Sequence, residues 1–198
     1  MASPADRAEK ARALREEAYA FLSESGLFAL LQEYFAEPAV TGSASYDLMV
    51  WRDIDLCLAV EADRWTDWMA FGGTLVKLFD DIGTPLHEAT FINDWVDPHP
   101  LGPGLYWGLK FKDQNGNPWK VDIWGWEPFD YAVRQARDYA LKIDLNDCNR
   151  DLILRLKTEA RMRDNYYGVR VSGFDIYQFA IANAGDSLSA LEMWKMKQ

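Results

Sequence analysis

The run "YDLMVWRDIDLCLAV", residues 46–60, sets an acid-hydrophobic-acid triplet inside an otherwise apolar stretch. In a strand, side chains at i and i+2 share a face. Asp53 and Asp55 therefore project together, while Ile54 and Leu56 turn to the opposite side and into a core. Two carboxylates held on one rigid face repel each other unless a positive group lies between them. The pattern calls for a sheet with one apolar and one charged side, and for a cation at the charged one.

A third acid is available downstream. In "WKVDIWGW" Asp122 stands between Val121 and Ile123, so a carboxylate again alternates with core residues. Asp113 abuts a turn and Glu127 sits at the strand exit, which leaves Asp122 as the better partner. Magnesium is held through one or two carboxylates together with substrate phosphates and water. Three acids on one face suit a two-metal site that clamps the attacking and leaving oxygens of a phosphoryl displacement. Gly42-Ser43 follows an expected strand, "AVTGS". Glycine lets backbone approach a ligand, and the Ser43 hydroxyl with nearby amides can hold a terminal phosphate.

The rest of the chain supplies the frame. Helical spacing covers residues 4–22 and "LFALLQEYFA". "YDLMVW" and "DIDLCLAV" read as β-like, and "DRWTDWMAFGGTLVKLFDD" returns to a helical period. Three more strands are expected in "HEATFINDWV", "GLYWGLKFKD" and "PWKVDIWGW", the last two joined by the Asn-Gly turn of "QNGN". From Pro128 on the pattern is helical, with Ser172 as an N-cap. The expected class is α+β: a mixed sheet of about five strands flanked by helices over residues 1–127, then an all-helical C-terminal subdomain over 128–198.

Charge and composition narrow the partners. The net charge of −10 and the lack of a basic stretch argue against a nucleic-acid partner, and an acidic cleft favours a small cationic acceptor. The two cysteines, Cys57 and Cys148, lack metal-site spacing and read as reduced thiols of a cytoplasmic protein. No signal-type apolar segment or membrane span is present in the sequence. His87 and His99 have no partner spacing for metal or nucleophile. Many aromatics fall between Trp95 and Trp126, and alternation puts Trp124 beside Asp122 as a wall for an acceptor pocket.

"GSASYDLMVWRDIDL" resembles the signature of the DNA polymerase beta-like nucleotidyltransferase superfamily: Gly-Ser, a spacer, an acid-hydrophobic-acid triplet, then a lone acid in a later strand. The spacer here is nine residues, 44–52. The helical tail looks like that of the small bacterial lincosamide and aminoglycoside nucleotidyltransferases. The resemblance implies that Gly42 and Ser43 contact phosphate, that Asp53 and Asp55 bind Mg2+ or Mn2+, and that Asp122 helps bind the catalytic metal and accepts the proton of the incoming hydroxyl. The implied activity is transfer of a nucleoside monophosphate from a nucleoside triphosphate to a small-molecule acceptor, with release of pyrophosphate. A binding or regulatory module of the same fold, such as an antitoxin-like protein or nucleotide sensor, is the alternative. Each motif also has a plain structural reading: solvated acids on an open sheet face, and in "RMRDNYYGVR" a basic helix end.

Overall fold

The computed structural model describes residues 2–97 and 102–198. The first helix, α1 (Pro4–Glu24), opens on a capping box, in which the Ser3 side chain accepts from the Asp6 amide and the Asp6 side chain from the Ser3 amide. Its buried stripe of Ala11, Leu14, Ala18 and Leu22 keeps helical spacing. α2 (Leu27–Tyr34) follows, and then β1 (Ala39–Thr41), α3 (Gly42–Tyr46) and β2 (Asp53–Ala59). A 3₁₀ turn at Ala62–Arg64 leads into α4 (Trp65–Asp81), which runs unbroken through Gly72 and Gly73. β3 (Leu86–Asn93), β4 (Leu105–Lys112) and β5 (Pro118–Trp126) complete the sheet. Four helices close the chain: α5 (Pro128–Asp144), α6 (Asp147–Arg161), α7 (Gly173–Ile181) and α8 (Leu188–Lys195).

The five strands lie in the order β1-β2-β5-β4-β3. β2 and β5 run parallel, and the remaining neighbours are antiparallel. The β4–β5 turn is fixed by Asp113, whose carboxylate accepts from the amides of Asn115 at 2.9 Å and Asn117 at 2.8 Å. Ser172 caps α7 as its position suggests, accepting from the Asp175 amide at 3.1 Å.

"YDLMVW" is not a strand. Tyr46 ends α3, Asp47 turns the chain with φ of 60°, and the segment then bends into β2. Leu48 and Met49 are both buried, in different clusters, so a consecutive apolar pair mimics a strand without being one. Gly42 and Ser43 likewise begin α3 and do not extend β1. His99 lies outside the described residues, with its neighbours 98, 100 and 101.

One hydrophobic cluster fills the space between the inner sheet face (Ile54, Leu56, Leu109, Val121, Ile123) and α1, α2 and α4. A second joins α6, α7 and α8 with Tyr46, Leu48 and Ala11. α1 contributes to both, and its Arg7 pairs with Asp151 of α6 at 2.7 Å. The outer face of the sheet, carrying Asp53, Asp55, Lys120 and Asp122, is turned away from the first cluster. Among the described residues no helix is long and apolar enough to cross a membrane.

Candidate active site

Parallel pairing of β2 with β5 puts Asp55 in register with Asp122 and Asp53 with Lys120. Neighbouring strands are about 4.8 Å apart, so the three carboxylates expected to converge do share one patch of the outer face. Their flanking residues Ile54, Leu56, Val121 and Ile123 are fully buried, which fixes this orientation. Gly42 completes the floor. It has φ of 61°, and a methyl group added there would collide with the Asp55 carboxylate. Ser43 is buried beside it.

Each acid has a distinct surrounding. Asp53 accepts from the Trp51 indole N–H at 3.0 Å through Oδ2, while its buried Oδ1 has no hydrogen-bond partner. Burial raises its pKa, and the nearby Asp122 charge adds to this against the opposing pull of Lys120. Asp55 is pushed well above the usual carboxylate range by burial, then by Asp53 and Asp122. Asp122 accepts from Tyr106 Oη at 2.6 Å and from Lys120 Nζ at 2.5 Å. Gly108, paired with Asp122 across β4, makes the tyrosine contact possible, because a side chain there would strike the Tyr106 hydroxyl. Burial pulls the Lys120 ammonium down, but the charges of Asp53 and Asp122 outweigh it and hold the lysine protonated.

A second cation comes from α6. Lys157 is 1% exposed, and its Nζ donates to Leu48 O at 2.9 Å and to Tyr177 Oη at 3.1 Å. It lies 5.1 Å from the centre of the Trp51 ring. Burial lowers its pKa to about 8, against the opposing attraction of Asp53 and Asp55. Arg161 also covers Trp51, at 4.8 Å, and Tyr167 meets that ring edge-on at 4.6 Å. Of the other residues in "RMRDNYYGVR", Arg163 pairs with Glu159 and Tyr166 is buried.

A cavity of about 540 Å³ is bounded by Ser43, the two β2 acids, Lys157, Arg137 and Phe174, with Asp122 on the adjoining strand beside it. Trp124 extends the wall beyond Asp122, with Tyr106 packed against it at 4.6 Å and Trp126 stacked at 5.0 Å. A separate groove of about 520 Å³ near Glu17 and Trp119 contains none of the three acids.

Among the described residues no group of three or more His, Cys, Asp or Glu side chains is arranged to hold a metal ion by itself. The donor set still suits a hard cation. Asp53 and Asp55 are partly buried, close and destabilised as anions, and Asp53 has an orphaned oxygen. Magnesium in phosphoryl-transfer sites takes one or two carboxylates and fills the rest of its shell with phosphate and water.

Lys120, Lys157 and Tyr106 were not among the residues singled out from sequence. Lys120 is two residues before Asp122, so alternation alone puts both on one face. Lys157 occupies an apolar-stripe position between Ile153 and Ala160, where a charged residue signals a buried partner. Tyr106 depends on strand register, which alternation does not reveal.

No protein-family model matches the chain, and no curated protein matches it. Solved structures do. A structure of Cid1, described for its RNA terminal uridylyl transferase activity, superposes with a TM-score of 0.53 at 16% identity, covering 82% of this chain and 45% of that one. A mutant of the Cid1 poly(U) polymerase bound to MgATP gives a TM-score of 0.53 at 18% identity over 83% and 48%. Cid1 with the UTP analogue UMPNPP gives 0.51 at 16% over 83% and 47%. The chain thus spans just under half the length of these structures. They are nucleotidyltransferases of the DNA polymerase beta-like superfamily. They do not show the expected likeness to the lincosamide and aminoglycoside enzymes.

The expectation of no nucleic-acid partner is overturned by this likeness, because the matched fold serves proteins that act on RNA. Net charge was the wrong quantity: the cavity wall carries Arg134, Arg137 and Lys157 within an acidic molecule. The five-stranded mixed sheet flanked by helices is the fold of these nucleotidyltransferases.

Proposed function

We propose that the chain is a metal-dependent nucleotidyltransferase that moves a nucleoside monophosphate from a nucleoside triphosphate to a hydroxyl, releasing pyrophosphate. The observation that carries this reading is the meeting, in one cavity, of Asp53 and Asp55 with Ser43 and Lys157, beside Asp122 on the adjoining strand. A metal ion held by Asp53 and Asp55, Mg2+ or Mn2+, would neutralise phosphate charge and polarise the α-phosphate.

The chain's own residues do the rest. Ser43 and Lys157 grip the phosphates, since an ammonium and a hydroxyl facing one cavity are suited to anionic oxygens. Phe174, exposed and with Arg137 4.9 Å from its ring centre, offers a face at the cavity edge for a nucleobase. Asp122 accepts the proton of the incoming hydroxyl. As the oxygen bonds to the α-phosphorus, the bond from that phosphorus to the bridging oxygen breaks, and pyrophosphate leaves with the electron pair. The acceptor approaches along Tyr106 and Trp124. A nucleic-acid strand end, whose terminal base stacks on such rings, suits that wall, and the RNA activity described for Cid1 supports it.

The test is label transfer from α-labelled triphosphates with Mg2+ or Mn2+, offered short RNA acceptors with a free or a blocked 3′ hydroxyl. Extension of the free-ended RNA with pyrophosphate release, lost in Asp53→Asn, supports the reading. Absence of transfer with every triphosphate contradicts it. Because both Asp122 oxygens are already bonded within the protein, the second reading is a nucleotide-binding module without turnover. Tight triphosphate binding with no pyrophosphate release would select it.

A further inference from the structure

Lys120 stands among the acids and has no part in the reaction as described above. It lies on β5 two residues before Asp122 and in register with Asp53. Its Nζ is 2.5 Å from Asp122 Oδ2, and the other oxygen of that carboxylate accepts from Tyr106 at 2.6 Å. Both oxygens of Asp122 are therefore occupied by protein donors, whereas Asp53 keeps a buried oxygen with no partner. The asymmetry divides the site: a vacant-oxygen side on β2 and a side on β5 already served by a cation.

Charge placement agrees with this division. Of the three carboxylates, Asp122 is the one that Lys120 pairs with directly, while Asp53 and Asp55 lie toward the cavity. A second divalent ion at Asp122 Oδ2 would meet the Lys120 ammonium at close range, and like charges sharing one carboxylate oxygen repel. Lys157 does not fill this role, because its Nζ bonds Leu48 O and Tyr177 Oη instead of Asp122.

We propose that Lys120 is a resident cation on the Asp122 side of the site, so that the chain holds a single divalent ion, on Asp53 and Asp55, with the lysine in place of a second. This rests on the metal-dependent reading above. Lys120 is then a positioning residue: its ion pair holds Asp122 oriented toward the incoming hydroxyl without touching the triphosphate.

The experiment is a count of bound Mn2+ by electron paramagnetic resonance, with the full chain saturated by a triphosphate that cannot be cleaved between its α- and β-phosphates. Wild type should hold one tightly bound ion per chain and Lys120→Arg one. Lys120→Met, which keeps the stem and removes the charge, should hold two, with the second bound at least tenfold more tightly than in wild type. Two tight ions in wild type overturn the proposal whatever the variants do. An unchanged count and affinity in a folded Lys120→Met also overturns it while leaving the metal reading intact. No bound Mn2+ in wild type or in either variant overturns both.

Discussion

Lys157 sets the residue-scale expectations. Its ammonium is buried against Leu48 O and Tyr177 Oη, and burial brings its pKa down to about 8 from 10.5. In the unfolded chain the lysine stays protonated to the ordinary value, so the native state pays for its charge below about pH 8. That cost is relieved as pH rises from about 8 to 10.5. Lys157→Met should thus melt no lower than wild type at pH 7, yet bind a triphosphate about 10- to 100-fold more weakly, the loss of one charged hydrogen bond. Triphosphate affinity of wild type, measured by calorimetry, should fall as pH rises through about 8. Asp55 behaves oppositely. Its native pKa lies well above the ordinary 3.8, so its contribution to stability is present below that value and is lost as pH rises through the native one. An amide at this position removes the cost of ionising it there. Asp55→Asn should raise the melting temperature of the metal-free protein by about 2–4 °C for each kcal/mol relieved, while lowering nucleotidyl transfer by about 10²-fold or more.

At the scale of elements, the short helix α3 ties phosphate grip to metal site. Its first residue, Gly42, has positive φ and lies against the Asp55 carboxylate. Gly42→Ala should cost about 1–2 kcal/mol from the left-handed backbone alone, or roughly 2–8 °C in melting temperature. Activity should fall further than stability, because the added methyl displaces Asp55. The sequence announces β2 and β5 clearly: each alternates core residues with polar ones, and that rule correctly orients Asp53, Asp55 and Asp122. It misjudges α3 because five residues are too few to show a period. Ser43, Ala44 and Tyr46 are held by burial, and helix propensity has little say over so short a segment. The partners of Asp122 were half legible. Lys120 follows from alternation once a positive group is sought, but Tyr106 follows from the β4–β5 register, a tertiary fact.

For the whole molecule, the lesson lies in where charge resides. A net charge of −10 describes the whole chain, whereas one cavity sets Lys157, Arg134 and Arg137 around Asp53 and Asp55. That cavity forms because two hydrophobic clusters, one under the sheet and one among α6, α7 and α8, are bridged by α1 and leave the acid face open between them. On the proposed reading, this face grips a triphosphate through a divalent ion. Isothermal titration of a non-hydrolysable triphosphate into the protein, with and without Mg2+, tests it most directly. Binding should require the ion and be abolished in Asp53→Asn with Asp55→Asn. Binding that ignores the ion, or survives loss of both acids, would contradict it.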